Sequence, residues 1–151
     1  SVFIPRDDGP QAVSMIRSLA AGIDATTAVV IFPEGRLFRR DRLERDLVRL
    51  AERHPERAAR LGELRHVLPP RPGGVLALLD AVPGDVVVIS HRGLDRFASF
   101  RELAAAVPLR EPIMVTAWRV PRGQVPPGDA VRLAWLDEQW LRVDAWVTER
   151  T

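Results

Sequence analysis

The chain has 151 residues, enough for one domain, and 46% of them are apolar, enough for a hydrophobic core. It contains no Cys, which excludes disulfide bonds and thiolate metal sites. The 22 basic residues, all of them Arg, nearly balance 20 acidic residues, and the formal net charge of +2 argues against nucleic acid as a partner. No apolar run approaches the roughly 20 residues that a membrane-spanning helix needs.

Strand and helix patterns alternate along the chain. In chain order, the sequence predicts a strand ending at residues 3–4, a helix over 10–22, a strand over 27–32, a helix over 41–64 broken at Pro55, a short strand at 67–68, a helix from 73 to about 82, a strand over 85–90, a short helix over 100–106, a strand over 113–118, a loop over 121–128 and a helix over 129–149. This alternation predicts a single domain over 1–151 of the α/β class, with a mainly parallel sheet and helices on both faces.

Three local features refine this prediction. The runs 85–89 and 113–117 are apolar on consecutive residues, which is typical of strands covered on both faces. Asp41 and Ser99 precede helical patterns and are predicted as N-caps. The last helix carries an apolar stripe and is net acidic, so we expect it to pack in the core rather than to lie on an anionic membrane.

The strongest candidate site follows the apolar run 27–32. Pro33 cannot donate to a sheet ladder, so strand pairing is expected to end there. Gly35 permits backbone angles that are closed to other residues. The guanidinium of Arg36 suits phosphate, which Arg binds through two parallel hydrogen bonds. The sequence therefore predicts an anion site at a strand end, where open α/β sheets bind ligands. The alternative is an ordinary surface turn.

Three segments, in order and at the expected rough spacing, resemble conserved blocks of the glycerophosphate and lysophospholipid acyltransferase family. Residues 32–36, Phe-Pro-Glu-Gly-Arg, resemble its FPEG block. Residues 2–6, Val-Phe-Ile-Pro-Arg, resemble its F-x-x-R block, and residues 66–70, His-Val-Leu-Pro-Pro, resemble its hydrophobic-proline block. The family makes phosphatidic acid, and the resemblance covers most of the chain. It implies acyl transfer from an acyl thioester to a lysophospholipid or glycerophosphate acceptor.

The resemblance also implies roles for particular residues. The implied acceptor-binding residues are Arg6, Glu34, Gly35 and Arg36. Arg6 and Arg36 are expected to converge on a single phosphate, with Arg6 the more important of the two. Pro69 and Pro70 either line a groove for the acyl chain or form a plain strand-to-helix connection. No metal or cofactor is expected, and acyl-coenzyme A or acyl carrier protein would be the co-substrate.

One block of the family has no counterpart. The family's chemistry rests on an H-x-x-x-x-D block, in which His acts as general base and Asp orients it. The three His residues are His54, His66 and His91, and none has Asp five residues further on. Asp95 stands four residues after His91, one residue short and after the FPEG block rather than before it. The chain is therefore expected to be an amino-terminally truncated acyltransferase, without a catalytic residue of its own.

The partners follow from the same resemblance. The intact acyltransferase is expected in the cytoplasm, at the inner face of the cell membrane. Arg39, Arg40 and Arg42 either face acidic head groups or a carrier protein, or form a solvated surface. The alternative function is a non-catalytic module that binds a phosphorylated lipid without turning it over.

Overall fold

The computed structural model describes residues 27–94, 97 and 100–149, together with residues 14 and 18. In this part of the chain the helices are α1 (Arg40–Arg53), α2 (Pro55–Leu61), α3 (Pro72–Ala81), α4 (Phe100–Ala105) and α5 (Asp129–Thr148). The strands are β1 (Val86–Arg92) and β2 (Met114–Val120), and a 3-10 turn, Arg122–Gln124, follows β2. These helices and strands lie where the sequence predicts them.

The break between α1 and α2 shows how the sequence sets the helix ends. Pro55 occupies the first turn of α2, where its missing N–H costs nothing, because the first N–H groups of a helix have no partner within the helix. The preceding residue, His54, leaves the helical conformation, and its N–H donates to the carbonyl of Leu50 at 2.7 Å. The predicted break at Pro55 is therefore confirmed.

The predicted parallel sheet is wrong. Strands β1 and β2 pair antiparallel, with Val86 opposite Val120 and Arg92 opposite Met114, and they form the whole sheet within the described residues. The connection between the strands is long enough for a parallel crossover, but its helix α4 has only six residues, too few to cover a sheet face. Helices predominate in the fold, and the α/β class with helices on both faces of a sheet is not observed.

The exposure of β1 shows why the sheet prediction failed. Val88 and Ser90 are buried, whereas Val87 and Ile89 between them are 55% and 61% exposed. An uninterrupted apolar run is typical of a strand covered on both faces. Here the run alternates between a packed face and an open one, so the expectation for residues 85–89 is wrong. On β2, Val115 is 63% exposed as well, and the expectation for residues 113–117 is also wrong.

The core lies between the packed face of the sheet and the helices, with α5 at its centre. Val143 joins the buried side chains of α1, α2 and the segment after α2, whereas Leu136 joins those of α3 and β2. The half-buried Trp118 and Trp140 pack against both groups. The expectation that the last helix packs in the core is confirmed. Within the described residues, no helix is both long and apolar enough to cross a membrane.

Three smaller predictions are wrong. Residues 27–32 and 67–68 form no strand, because neither segment joins the β1–β2 sheet. Asp41 is not the N-cap of α1. That position belongs to Arg39, and Asp41 lies in the first turn, where it pairs with Arg39 and Arg45. The predicted strand at 3–4, the cap at Ser99 and the helix over 10–22, apart from residues 14 and 18, lie outside the described residues.

Candidate functional site

A tight turn holds the Pro-Glu-Gly-Arg sequence. The N–H of Gly35 donates to the carbonyl of Phe32 at 3.0 Å and closes the turn. Gly35 has a φ of +68°, in the left-handed region that residues with a Cβ rarely adopt. Glycine is therefore required at this position by the backbone, and the carboxylate of Glu34 and the guanidinium of Arg36 leave the turn on either side of it.

This turn is hydrogen-bonded to residues 65–71, the proline segment, which carries Pro69 and Pro70. The N–H of Arg71 donates to the carbonyl of Pro33 at 2.9 Å, and the N–H of Leu68 donates to Oε2 of Glu34 at 3.1 Å. A Cβ atom on Gly35 would lie 3.7 Å from the side chain of Arg71, so that side chain covers the turn. Two segments that are more than 30 residues apart in the sequence thus form one unit.

Asp144 of α5 binds the proline segment through hydrogen bonds to its backbone. Its carboxylate accepts the N–H groups of three consecutive residues, Arg65, His66 and Val67, at distances of 2.6 to 3.2 Å. Asp144 is itself buried. Because successive N–H groups are satisfied by one carboxylate, the segment needs no strand partner, which explains why residues 67–68 lie outside the sheet.

A buried ion pair contacts the carboxyl-terminal end of the proline segment at Pro70. Arg57 of α2 donates from Nε and Nη2 to the carboxylate of Asp137, which is completely buried, at 2.8 to 3.0 Å. Nη2 of Arg57 also donates to the carbonyl of Pro70 at 2.7 Å. Asp137 and Asp144 lie seven residues apart on α5, two turns of helix, so they reach the same segment from one helix face.

A cavity of about 270 Å³ opens beside the turn. It is lined by Arg36, Asp46, Arg49, Leu50, Arg53, His54, Arg57, Pro69, Pro70, Arg71 and Pro72. The turn and the proline segment supply one part of the lining, and α1, the residue that follows it and Arg57 of α2 supply the other. Among the described residues, five guanidinium groups, one imidazole and a single carboxylate therefore line the cavity, which favours an anionic ligand.

Two of these five Arg side chains are already paired. Arg36 forms an ion pair with Asp46, and Arg57 forms the pair with Asp137. The side chains of Arg49, Arg53 and Arg71 form no ion pair or hydrogen bond within the described part of the chain. The buried Nε of Arg36 also lacks a hydrogen-bond partner among the described residues. Several donors are thus available to a ligand in the cavity.

Glu34 does not face this cavity. Burial raises the pKa of its carboxyl group from the ordinary value of 4.5 to about 7, although the hydrogen bond from Leu68 opposes the change. The Nε1 of Trp140 is buried but completes no hydrogen bond with a described residue, so the hydrogen bond from Leu68 is the one that the carboxyl group of Glu34 receives in the described part of the chain. Glu34 therefore positions the proline segment, and the structure gives it no contact with a ligand site.

The predicted site residues thus fall into separate groups. Arg36 lines the cavity, Gly35 shapes the turn and Glu34 joins it to the proline segment. Arg6 lies outside the described residues, so its convergence with Arg36 remains a prediction. Pro69 and Pro70 line the cavity beside Arg side chains, and their role in holding an acyl chain stays untested.

Other residues of the site were not predicted. They are Asp46, Arg49, Arg53, Arg57, Arg71, Asp137 and Asp144. A signal existed for the two acids of α5, because Asp137 and Asp144 interrupt the apolar stripe of the helix at a seven-residue spacing. A carboxylate on a buried helix face needs a partner, and an Arg or a run of N–H groups is the usual one.

Comparison of the chain with protein-family models, with curated proteins and with solved structures finds no match. The acyltransferase resemblance therefore rests on the three sequence blocks, of which the FPEG block and the hydrophobic-proline block are joined by the hydrogen bond from Leu68 to Glu34. Among the described residues, no group of three or more His, Asp or Glu side chains is placed to hold a metal ion.

Proposed function

We propose that this chain binds the phosphate of a lysophospholipid or glycerophosphate acceptor, as the acceptor-binding part of an acyltransferase. The observation that carries the proposal is the cavity beside the Pro-Glu-Gly-Arg turn, where Arg36 and Arg71 lie together and the guanidinium of Arg71 is unpaired within the described residues. Phosphate oxygens accept hydrogen bonds from guanidinium groups in a two-pronged geometry.

The chemistry is the transfer of an acyl group to the acceptor hydroxyl. That oxygen attacks the carbonyl carbon of an acyl thioester, a C–O bond forms, the C–S bond breaks, and the proton of the hydroxyl passes to the thiolate through a general base. The chain contributes the binding of the acceptor phosphate. The donor is acyl-coenzyme A or acyl carrier protein, and the site of action is the cytoplasmic face of the cell membrane, where lipid acceptors reside.

A second function, the binding of a phosphorylated lipid without turnover, is favoured by one sequence observation. None of the three His residues is followed by Asp at the spacing of the family's base. An assay with lysophosphatidic acid and acyl-coenzyme A separates the two functions. This chain, which lacks the pair, is expected to bind lysophosphatidic acid without turnover under either function. Turnover by a form of the protein that carries the His–Asp pair supports the enzyme, whereas binding without turnover by such a form supports the module.

Titration calorimetry with glycerol 3-phosphate tests the proposed site. We expect binding to the unaltered chain and an affinity about tenfold or more lower for Arg71→Gln, because a charge-assisted hydrogen bond contributes about 1.5 to 3 kcal/mol. Arg40→Gln is the matched control, since Arg40 is exposed on α1 and does not line the cavity. Equal affinities for the chain and Arg71→Gln would contradict the proposal.

A further inference from the structure

The cavity lining contains more cationic side chains than a single phosphate group can contact. Arg36 and Arg71 lie at the turn, whereas Arg49, Arg53 and His54 belong to α1 and the residue after it. Arg49 and Arg53 are four residues apart, so they project from the same face of the helix about one turn apart. The cavity therefore presents two groups of donors, one on the turn and one on the helix.

The cationic side chains on the helix have no ion-pair partner in the described cavity lining. Among the described residues that line the cavity, Asp46 alone is a carboxylate, and it is paired with Arg36. Arg49 and Arg53 form no ion pair within the described residues. Two like charges at this helical spacing destabilise a helix in the absence of an anion. A phosphate monoester bound by Arg36 and Arg71 would leave both of these charges without a partner.

We propose that the cavity has a second phosphate subsite, formed by Arg49, Arg53 and His54, and that its ligand presents two phosphate groups. This inference rests on the proposed function, which assigns the first phosphate to Arg36 and Arg71. The second phosphate is supplied either by the same molecule, as in a diphosphate or bisphosphate, or by the acyl donor, since coenzyme A carries phosphates. In both cases the chemistry recognised is a second phosphate close to the first.

Titration calorimetry with inorganic phosphate and inorganic diphosphate, at one fixed ionic strength, tests the subsite. We expect diphosphate to bind about tenfold more tightly or better, because it gains charge-assisted hydrogen bonds at the second subsite. In the double variant Arg49→Gln, Arg53→Gln this advantage should disappear, while the affinity for inorganic phosphate should change by less than about threefold. Gln retains helix propensity close to that of Arg, so α1 should be preserved.

The matched control is the double variant Arg40→Gln, Arg45→Gln. It removes the same number of charges from exposed positions of α1 that lie outside the cavity, and the preference for diphosphate should persist. Loss of the preference in this control would show a general effect of helix charge and would overturn the subsite. Circular dichroism verifies that both double variants retain the helical content of the parent.

The outcomes separate this inference from the proposed function. Binding of inorganic phosphate and glycerol 3-phosphate without any preference for diphosphate would overturn the second subsite and leave the acceptor site intact. Failure of all these anions to bind would overturn both. Where diphosphate is preferred, a titration of coenzyme A into chain saturated with glycerol 3-phosphate identifies the source: joint binding indicates the donor, and competition indicates a single ligand with two phosphates.

Discussion

Glu34 combines a structural role with an unusual protonation behaviour. Its carboxyl group is half-buried, accepts the N–H of Leu68 at 3.1 Å and has its pKa raised by burial to about 7. Below pH 4.5 the group is protonated in both the folded and the unfolded chain. Between pH 4.5 and about 7 the unfolded chain has lost this proton while the folded chain retains it, so the free energy of unfolding falls as the pH rises through this window.

Replacing Glu34 with Gln should remove this dependence on pH. Gln stays uncharged and keeps an oxygen that accepts the N–H of Leu68. Measured by urea unfolding, the difference in unfolding free energy between pH 5 and pH 8 should shrink by about 2 to 3 kcal/mol in Glu34→Gln. The control is Glu44→Gln, at an exposed carboxylate of α1, which should retain the difference of the parent. An unchanged difference in Glu34→Gln would refute the raised pKa.

The elements are held together by polar contacts that the sequence indicated only indirectly. Arg57 on α2 and Asp137 on α5 are buried and 80 residues apart, and their ion pair also fixes the carbonyl of Pro70 at the cavity. Such a pair costs desolvation energy when it forms, but breaking it leaves one buried charge without compensation. Its removal is therefore expected to be much more costly than the loss of an exposed pair.

Asp137→Asn should lower the free energy of unfolding by about 3 kcal/mol or more, because Asn leaves the buried guanidinium of Arg57 uncompensated. The control is Glu44→Gln, which alters a carboxylate that pairs with the exposed Arg40 and is 72% exposed. We expect a loss below about 1 kcal/mol in the control. Both are measured by urea unfolding at pH 7, and equal losses in the two variants would show that the buried pair contributes no more than a surface pair.

The helices and strands also differ in how far the sequence could predict them. Helices were predictable because Pro55 and the apolar stripes act locally, within a few residues. The positions of β1 and β2 were also predictable from their β-branched residues. Their direction was not, because pairing depends on how the connection returns, and a run such as Val86 to Ile89 does not reveal whether one face or both are covered.

For the whole molecule, the candidate site was predicted in part. The turn at Gly35 and the presence of Arg36 were predictable, since a left-handed turn and a phosphate-binding side chain leave direct sequence signals. The contributions of Arg49, Arg53 and Arg71 were not, because many Arg residues lie along the chain and only the packing of α1 against the proline segment decides which of them share a cavity. The expected partner Arg6 lies outside the described residues.

The central claim is that the Pro-Glu-Gly-Arg turn and the proline segment bind a phosphate in the cavity that they share with α1. The most direct measurement is an NMR titration of the ¹⁵N-labelled chain with glycerol 3-phosphate. We expect concentration-dependent shifts of the amide signals of Gly35, Arg36 and Arg71, with the exposed sheet residues Val87 and Ile89 unaffected. Absence of shifts, or shifts confined to the sheet, would contradict the claim.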